Sequence, residues 1–271
     1  MLCKNFHHMS FFARPYTRIA HWCAFALTGI TLVWLVLRGA EQLGCSWHWR
    51  QIPHYLWTCP DGSCAAGPLL QGLVVTVEIT VISLVVAAVI GLITALLRLS
   101  DSIIGRWLAW CYLEVIRNTP LLVQIFFLYF VMAPLLDLGR TATAILALSL
   151  FEGAYASEIF RAGITSIAKG QWEACYSLGL SRSQSFRHVI LPQALRRVLP
   201  PLTSQAVSLI KDSALVSTIA VSDLTMQGRT IVADTFLAFE IWFFVAAIYL
   251  VLTLALSGLA HSLERRFPRI A

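Results

Sequence analysis

Apolar runs of membrane-spanning length govern what this chain can fold into. Residues 19–37, 69–97, 121–136, 143–159 and 236–259 are each read as crossing a hydrocarbon layer, which needs roughly 20 predominantly apolar residues. A further run, 199–224, is more polar. The run at 121–136 extends back to near Trp107 and carries a break at Asn118-Thr119-Pro120, because proline lacks an amide donor and disfavours helix at the residue before it. Backbone groups in lipid must be satisfied internally, so the spans are helices. The composition agrees: 58% of residues are hydrophobic and 13% charged, outside the range of soluble globular domains. The fold class expected is all-α, a polytopic integral membrane protein.

Lys and Arg set the orientation. With a cytoplasmic N-terminus, fourteen of the twenty basic residues face inward: Lys4, Arg14, Arg18, Arg98, Arg106, Arg161, Lys169, Arg182, Arg187, Arg196, Arg197, Arg265, Arg266 and Arg269. Arg38, Arg50, Arg140 and Arg229 face outward, and Arg117 and Lys211 lie within spans. Six spans with both termini inside follow. The net charge of +6 then reflects topology and anionic lipid headgroups and gives no indication of nucleic acid. The first run reads as a retained helix, since it is long for the core of a signal peptide and no small-residue cleavage pattern precedes Arg38.

Residues 1–66 read as an N-terminal helix plus an outward segment rich in Trp47, Trp49, Tyr55 and Trp57, the interface aromatics of a membrane protein. Cys45, Cys59 and Cys64 fall in that segment. In an oxidising compartment Cys59 and Cys64 have the spacing for a small disulfide, and three free thiols are the alternative. The remaining cysteines, Cys3, Cys23, Cys111 and Cys175, and the seven scattered histidines form no metal-ligand spacing. No catalytic motif is present, and no G-x-x-x-x-G-K-[ST] pattern for binding ATP.

The longest inward loop, about 161–197, reads as two short helices. The first covers 171–178, with Glu173 near its N-terminus, where a carboxylate is favoured, and Gly179 as its C-terminal cap. Ser181 caps the second, which runs to about residue 189. Such a pair is a docking surface for a soluble partner.

The charges inside the membrane are the second signal, since they usually face a bundle interior or an aqueous cavity. Lys211-Asp212 lies near the middle of the polar run, with Gln205 and Ser208 about a turn away. Glu114 and Arg117, three apart, share a helix face near the Thr119-Pro120 break. Asp212 or Glu114 suits an ammonium, and Lys211 or Arg117 suits a carboxylate. Pairing of these charges among themselves, to lock helices together, is the alternative. Glu158 and Arg161 read as a structural ion pair, while Glu152 either lines a cavity or pairs with a neighbour. Glu78 and Glu240 have no evident role.

Several motifs in order give a resemblance. Glu173-Ala174-Cys175 with Gly179 following, then Val189-Ile190-Leu191-Pro192, is similar to the EAA loop of membrane subunits of ATP-binding-cassette importers. Glu114-Val-Ile-Arg117-Asn-Thr119-Pro120-Leu-Leu-Val-Gln124, Ser157-Glu158-Ile-Phe-Arg161-Ala-Gly163, Leu191-Pro192-Gln193-Ala194 and Lys211-Asp212-Ser213 resemble the polar amino-acid branch. The likeness covers 67–271. Cys175 replaces the usual second alanine, which would leave an unusual exposed thiol; Ser213-Ala214 stands where Thr-Ser is common, and Val189 is conservative.

The resemblance implies a type I importer fold, with five core helices plus one N-terminal helix, in a bacterial inner membrane. It implies coupling to a separate ATPase through Glu173, Ala174, Cys175, Gly179, Leu191 and Pro192. It also implies a substrate pathway drawing on Glu114, Arg117, Gln124, Gln205, Ser208, Lys211, Asp212 and Ser213. The implied partners are ATP-binding-cassette ATPases, a second permease subunit (identical or homologous), a periplasmic amino-acid-binding protein, the amino acid and membrane lipid. ATP and Mg belong to the ATPase, and the chain itself binds no cofactor. Gln205, being neutral, argues against a pocket with two acids aimed at a cationic side chain. An ion-gradient-driven secondary transporter is the rival reading; internal inverted repeats would favour it.

Overall fold

The computed structural model describes residues 15–42, 48–58 and 65–266, in two compact units divided after His48. Lys4, Arg14, Arg269, Cys3, Cys45, Cys59 and Cys64 lie outside the described residues, and with them the disulfide expectation. The first unit is described as one helix, α1 (Pro15–Gln42), in which Trp22, Phe25, Leu27 and Ile30 are exposed.

The second unit opens with a 3₁₀ turn at Trp49–Gln51, α2 (Ile52–Leu56) and a two-stranded antiparallel hairpin. In it, β1 (Trp57–Thr58) pairs with β2 (Ala65–Ala66), Trp57 opposite Ala66. Although this segment precedes the stretch of resemblance, it packs with the core. Ile52 is buried among Leu69, Leu224, Ile231, Leu237 and Ile241.

The long helix α3 (Pro68–Leu99) follows, then α4 (Ile103–Arg117), α5 (Leu121–Phe127), a π-helical turn at Leu128–Met132 and α6 (Ala133–Leu136). The expected break is present and severe: α4 and the α5–α6 segment meet at a bend of 106°. Helix α4 also begins at Ile103, four residues before the expected start near Trp107. Next come α7 (Arg140–Thr165), α8 (Lys169–Ser177), α9 (Arg182–Ser185), a second π-helical turn at Phe186–Ile190 and α10 (Leu191–Asp212). A 3₁₀ stretch at Ser213–Ile219, α11 (Leu224–Thr235) and α12 (Ala238–Arg266) complete the unit. Among the described residues, α3, α7 and α12 are each long and apolar enough to cross a membrane alone, and the bent pair passes as a single span. The polar run 199–224 is not one helix, because α10 stops at Asp212.

Helices α3 and α7 form the centre of the bundle, and small residues bring them together. A Cβ on Gly91 would lie 2.8 Å from Ala156 Cβ and 2.9 Å from the Gly153 carbonyl oxygen. Close backbone approach of this kind holds helices together in lipid, where burial of apolar surface gives little net drive. Ser83 and Ser149 are buried at the same interface and reach across it at 3.4 Å to the carbonyls of Ile145 and Ser83. Leu121, Ile125, Leu148, Leu209 and Val216 complete the main apolar cluster. Gly163 serves the same end between α7 and α10, where a Cβ would overlap a methyl of Val198. Outward from this centre, Val81, Val85, Val89 and Ile93 on α3 and Leu250, Val251 and Leu254 on α12 are exposed. Surfaces of that extent require lipid or another subunit.

Candidate functional site

The loop between α7 and α10 is built as a rigid bracket. At the end of α8, Gly179 takes φ +74°, a left-handed conformation glycine adopts without strain. The Leu180 N–H then donates to the Cys175 carbonyl at 3.1 Å and the Gly179 N–H to that of Tyr176 at 3.0 Å, the two bonds of a Schellman cap. Ser181 and Gln184 form a reciprocal capping box at the start of α9: the Gln184 amide donates to Ser181 Oγ at 3.3 Å, and Gln184 Oε1 accepts from the Ser181 amide at 2.9 Å. The loop is also tied to its flanks. Arg197 donates to the Ser166 carbonyl at 2.6 Å, Gln193 to Gln171 at 3.1 Å, and Trp172, Phe186 and Val189 pack on Ile167, Ile190 and Ala194.

Three expectations for this loop change. Helix α8 begins at Lys169, two residues early, so Glu173 sits in its middle, beyond the first turn to which the dipole effect is confined. The second helix does not end near residue 189. The π-helical turn carries it directly into α10, and the Leu191 amide bonds back to the Phe186 carbonyl. That wider turn precedes Pro192, whose ring would clash with the carbonyl four residues earlier in a regular helix. The other π-helical turn, at Leu128–Met132, likewise precedes Pro134. Finally, Cys175 is a free thiol buried at 3% exposure, so the loop presents no exposed thiol there. Its outward face carries Glu173, Ala174 and Gly179 with Tyr176 and Leu178, which are exposed apolar groups; Leu191 is half-buried and Pro192 exposed.

The intramembrane residues separate into three places. Around Glu158, the guanidinium groups of Arg98, Arg117 (3.3 Å) and Arg161 (3.0 Å) converge on one carboxylate. The Glu158–Arg161 pair expected from spacing is present, but Arg117 pairs here and not with Glu114, and its guanidinium also lies 5.7 Å from the Tyr155 ring centroid. Exposed Glu114 instead accepts from Asn118 at 2.9 Å.

Gln124 forms the second place. Its side-chain amide lies 2.7 Å from the Ile116 carbonyl and 3.0 and 2.8 Å from the Thr119 carbonyl and hydroxyl. Pro120, four residues after Ile116, has no amide to offer that carbonyl of the last α4 turn, and Gln124 supplies the donor while also tying down Thr119 beyond the helix end. In this geometry it clamps the break, and its Oε1 is left without a hydrogen-bond partner among the described residues.

The third place is a cavity of about 190 Å³ between α3, α7 and α10, walled by Leu84, Ala87, Ala88, Leu202 and Ala206. Three polar side chains line it: Glu152, Gln205 and Thr203, whose hydroxyl donates to the Pro200 carbonyl at 2.7 Å. Gln205 donates to Glu152 Oε2 at 2.6 Å, and Glu152 is 1% exposed, with Oε1 lacking a hydrogen-bond partner among the described residues. Glu152 was legible only as an acid deep in an apolar run, with two readings open, and the structure joins both: it lines a cavity and it is paired. Ser208 is half-buried on α10; Lys211 is exposed at the helix end and Asp212 half-buried beside it, not mid-helix. Buried Ser213 donates to the Ile210 carbonyl at 2.7 Å. Of the expected pathway residues, only Gln205 lines this cavity.

Residues 87–269 match the family described as "Binding-protein-dependent transport system inner membrane component". The chain is 43% identical over 201 residues to the glutamine transport system permease protein GlnP of Escherichia coli K12, covering 73% of this chain and 92% of that protein. It is 37% identical over 232 residues to the L-cystine transport system permease protein TcyB of Bacillus subtilis 168, covering 85% and 95%. Among solved structures, an amino acid ABC transporter crystallised with histidines superposes with a TM-score of 0.69 at 37% identity, over 73% of this chain and 94% of that one. The inward-facing MetNI methionine transporter shares the fold at 20% identity and TM-score 0.62, over 74% and 96%.

Proposed function

We propose, for a chain that belongs to the binding-protein-dependent inner-membrane transport components, that its cargo is a polar amino acid held at the Glu152–Gln205 cavity. The chain is a multi-pass permease subunit of an ATP-driven importer. Translocation is its task. Hydrolysis of ATP, with Mg, falls to a separate ATPase that grips the exposed face of the 161–197 loop at Glu173, Ala174, Gly179 and the adjoining Tyr176 and Leu178. A periplasmic binding protein delivers the substrate on the opposite side, and a second permease subunit completes the pathway. Both termini lie in the cytoplasm.

The observation that carries the cargo reading is the partly unpaired Glu152 carboxylate facing a small cavity beside an amide. A buried carboxylate oxygen with no partner is unfavourable, and a substrate ammonium would supply both charge and donors. Gln205 offers a neutral amide for a polar side chain, which suits glutamine-like cargo better than a second cation. Relatives named for glutamine and cystine transport support the class.

The assembled complex, reconstituted in vesicles with its ATPase and binding protein, tests the reading. Glu152→Gln is expected to lower uptake roughly 10- to 150-fold, the worth of a hydrogen bond to a charged group, while subunit assembly persists. Unaltered uptake by this variant would remove the cavity from the pathway. Uptake by the chain alone, on a proton gradient, would overturn the importer mechanism itself.

A further inference from the structure

Beside the loop lies a second and larger cavity, about 680 Å³, bounded by the ends of α3 and α7 and by α8, α9 and the turn that follows. Its floor is aliphatic, from Leu96, Leu99, Ile164 and Ile167, and Trp172 and Phe186 flank it. Its rim is polar and carries two cations, Lys169 and Arg182. We infer that this groove holds an anionic phospholipid of the inner leaflet, its phosphate between Lys169 and Arg182 and its upper acyl chains on the Leu96–Ile164 floor. The inference rests on the topology proposed above, which puts the loop on the cytoplasmic side.

Three observations select this occupant. Ser100, the C-cap of α3, and Thr165, the last residue of α7, also line the groove, so the rim stands at the ends of the two central membrane helices, at the hydrocarbon–water boundary where phosphates lie. The division into apolar floor and cationic rim matches an amphiphile with a negative head, and basic pockets between membrane helices on this side bind such headgroups. Trp172 sits where indole rings prefer to be, at headgroup level. Among the described residues the acid paired at the rim is Asp101, 3.5 Å from Arg182, and both side chains are largely exposed, at 92% and 72%. Exposed pairs of this kind are weak, so Arg182 is open to a phosphate. Glu173, one turn along α8 from Lys169, projects from the exposed face of the loop. A lipid in this place would bridge the spans and the coupling loop, making the loop's seating sensitive to bilayer composition.

The test uses the purified permease–ATPase complex in nanodiscs of phosphatidylcholine mixed with phosphatidylglycerol, with retained lipid identified by mass spectrometry after detergent stripping. Wild-type complex is expected to retain phosphatidylglycerol selectively. Lys169→Gln and Arg182→Gln should each reduce that selectivity about fivefold, and the double variant roughly thirtyfold. Asp101→Asn should raise it, a gain that misfolding cannot produce. Absence of selectivity in the wild type overturns the inference, as does selectivity indifferent to all three changes. Displacement by inorganic phosphate with no requirement for acyl chains would reassign the cations to a soluble anion and likewise overturn it. Retained lipid is read whether or not ATP is hydrolysed, so failure of the importer reading leaves a different trace: lost uptake with intact lipid selectivity.

Discussion

Glu158 carries more electrostatic work than its motif suggests. One carboxylate meets three guanidinium groups from α3, α4 and α7, with side chains 26% exposed for Glu158 and 27%, 44% and 37% for Arg98, Arg117 and Arg161. Partial exposure screens each pair, yet removing the shared anion leaves three cations facing one another. Glu158→Gln is expected to lower stability by about 1–3 kcal/mol, more than Arg161→Gln, which leaves two pairs in place; thermal unfolding of the purified complex compares the two. The Arg161 pair was legible because three residues along a helix is a contact. The Arg117 pair was not. Its partner lies 41 positions away, and reaching it depends on how α4 tilts, which local spacing does not encode. Cys175 makes the converse point, since its substitution for a small residue was visible but its burial depended on the packing of α8.

At the level of elements, the break at Asn118-Thr119-Pro120 was readable from proline chemistry, and its angle was not. Pro120 leaves the Ile116 carbonyl of α4 without an amide, and the Gln124 side chain satisfies it together with the Thr119 carbonyl in the break. Gln124→Ala should therefore destabilise the fold by about 1 kcal/mol, the net worth of hydrogen bonds to partly exposed acceptors. Its effect on unfolding temperature should exceed its effect on substrate affinity, and the reverse ranking would return Gln124 to the pathway. Helix caps at Gly179 and Ser181 were equally readable, because each answers a local need of the backbone. The π-helical turns before Pro134 and Pro192 were hidden: a proline in an apolar run signals interruption, whereas here the chain widens by one residue and continues.

For the whole molecule, the asymmetry of Lys and Arg carries a directional claim. Helix α3 spans 32 residues between Pro68 and Leu99, about 48 Å at the α-helical rise, so its two ends belong to opposite compartments. Single cysteines at Gln51 and Gly170, introduced after the native cysteines are replaced, should react with a membrane-impermeant maleimide from opposite sides, Gly170→Cys from the cytoplasm. Labelling of both from one side would refute the proposed topology. Composition and run length were sufficient for the class of molecule, and the motifs for its lineage. The Glu152–Gln205 pairing needed the structure, because it joins residues 53 positions apart on helices whose rotation only packing decides. The continuity of α9 with α10 has a mechanical meaning. From Arg182 to Asp212 the chain is a continuous helical rod, its bonding interrupted at Pro192 and at Pro200 and Pro201, the latter two next to the tight crossing of Val198 over Gly163. With that crossing as the fulcrum, the arm toward Phe186 is about 18 Å and the arm toward Gln205 about 10 Å. Such a lever trades reach for strength: a swing of several ångströms at the proposed docking face becomes a shift a little over half as large at the cavity, delivered with correspondingly greater force.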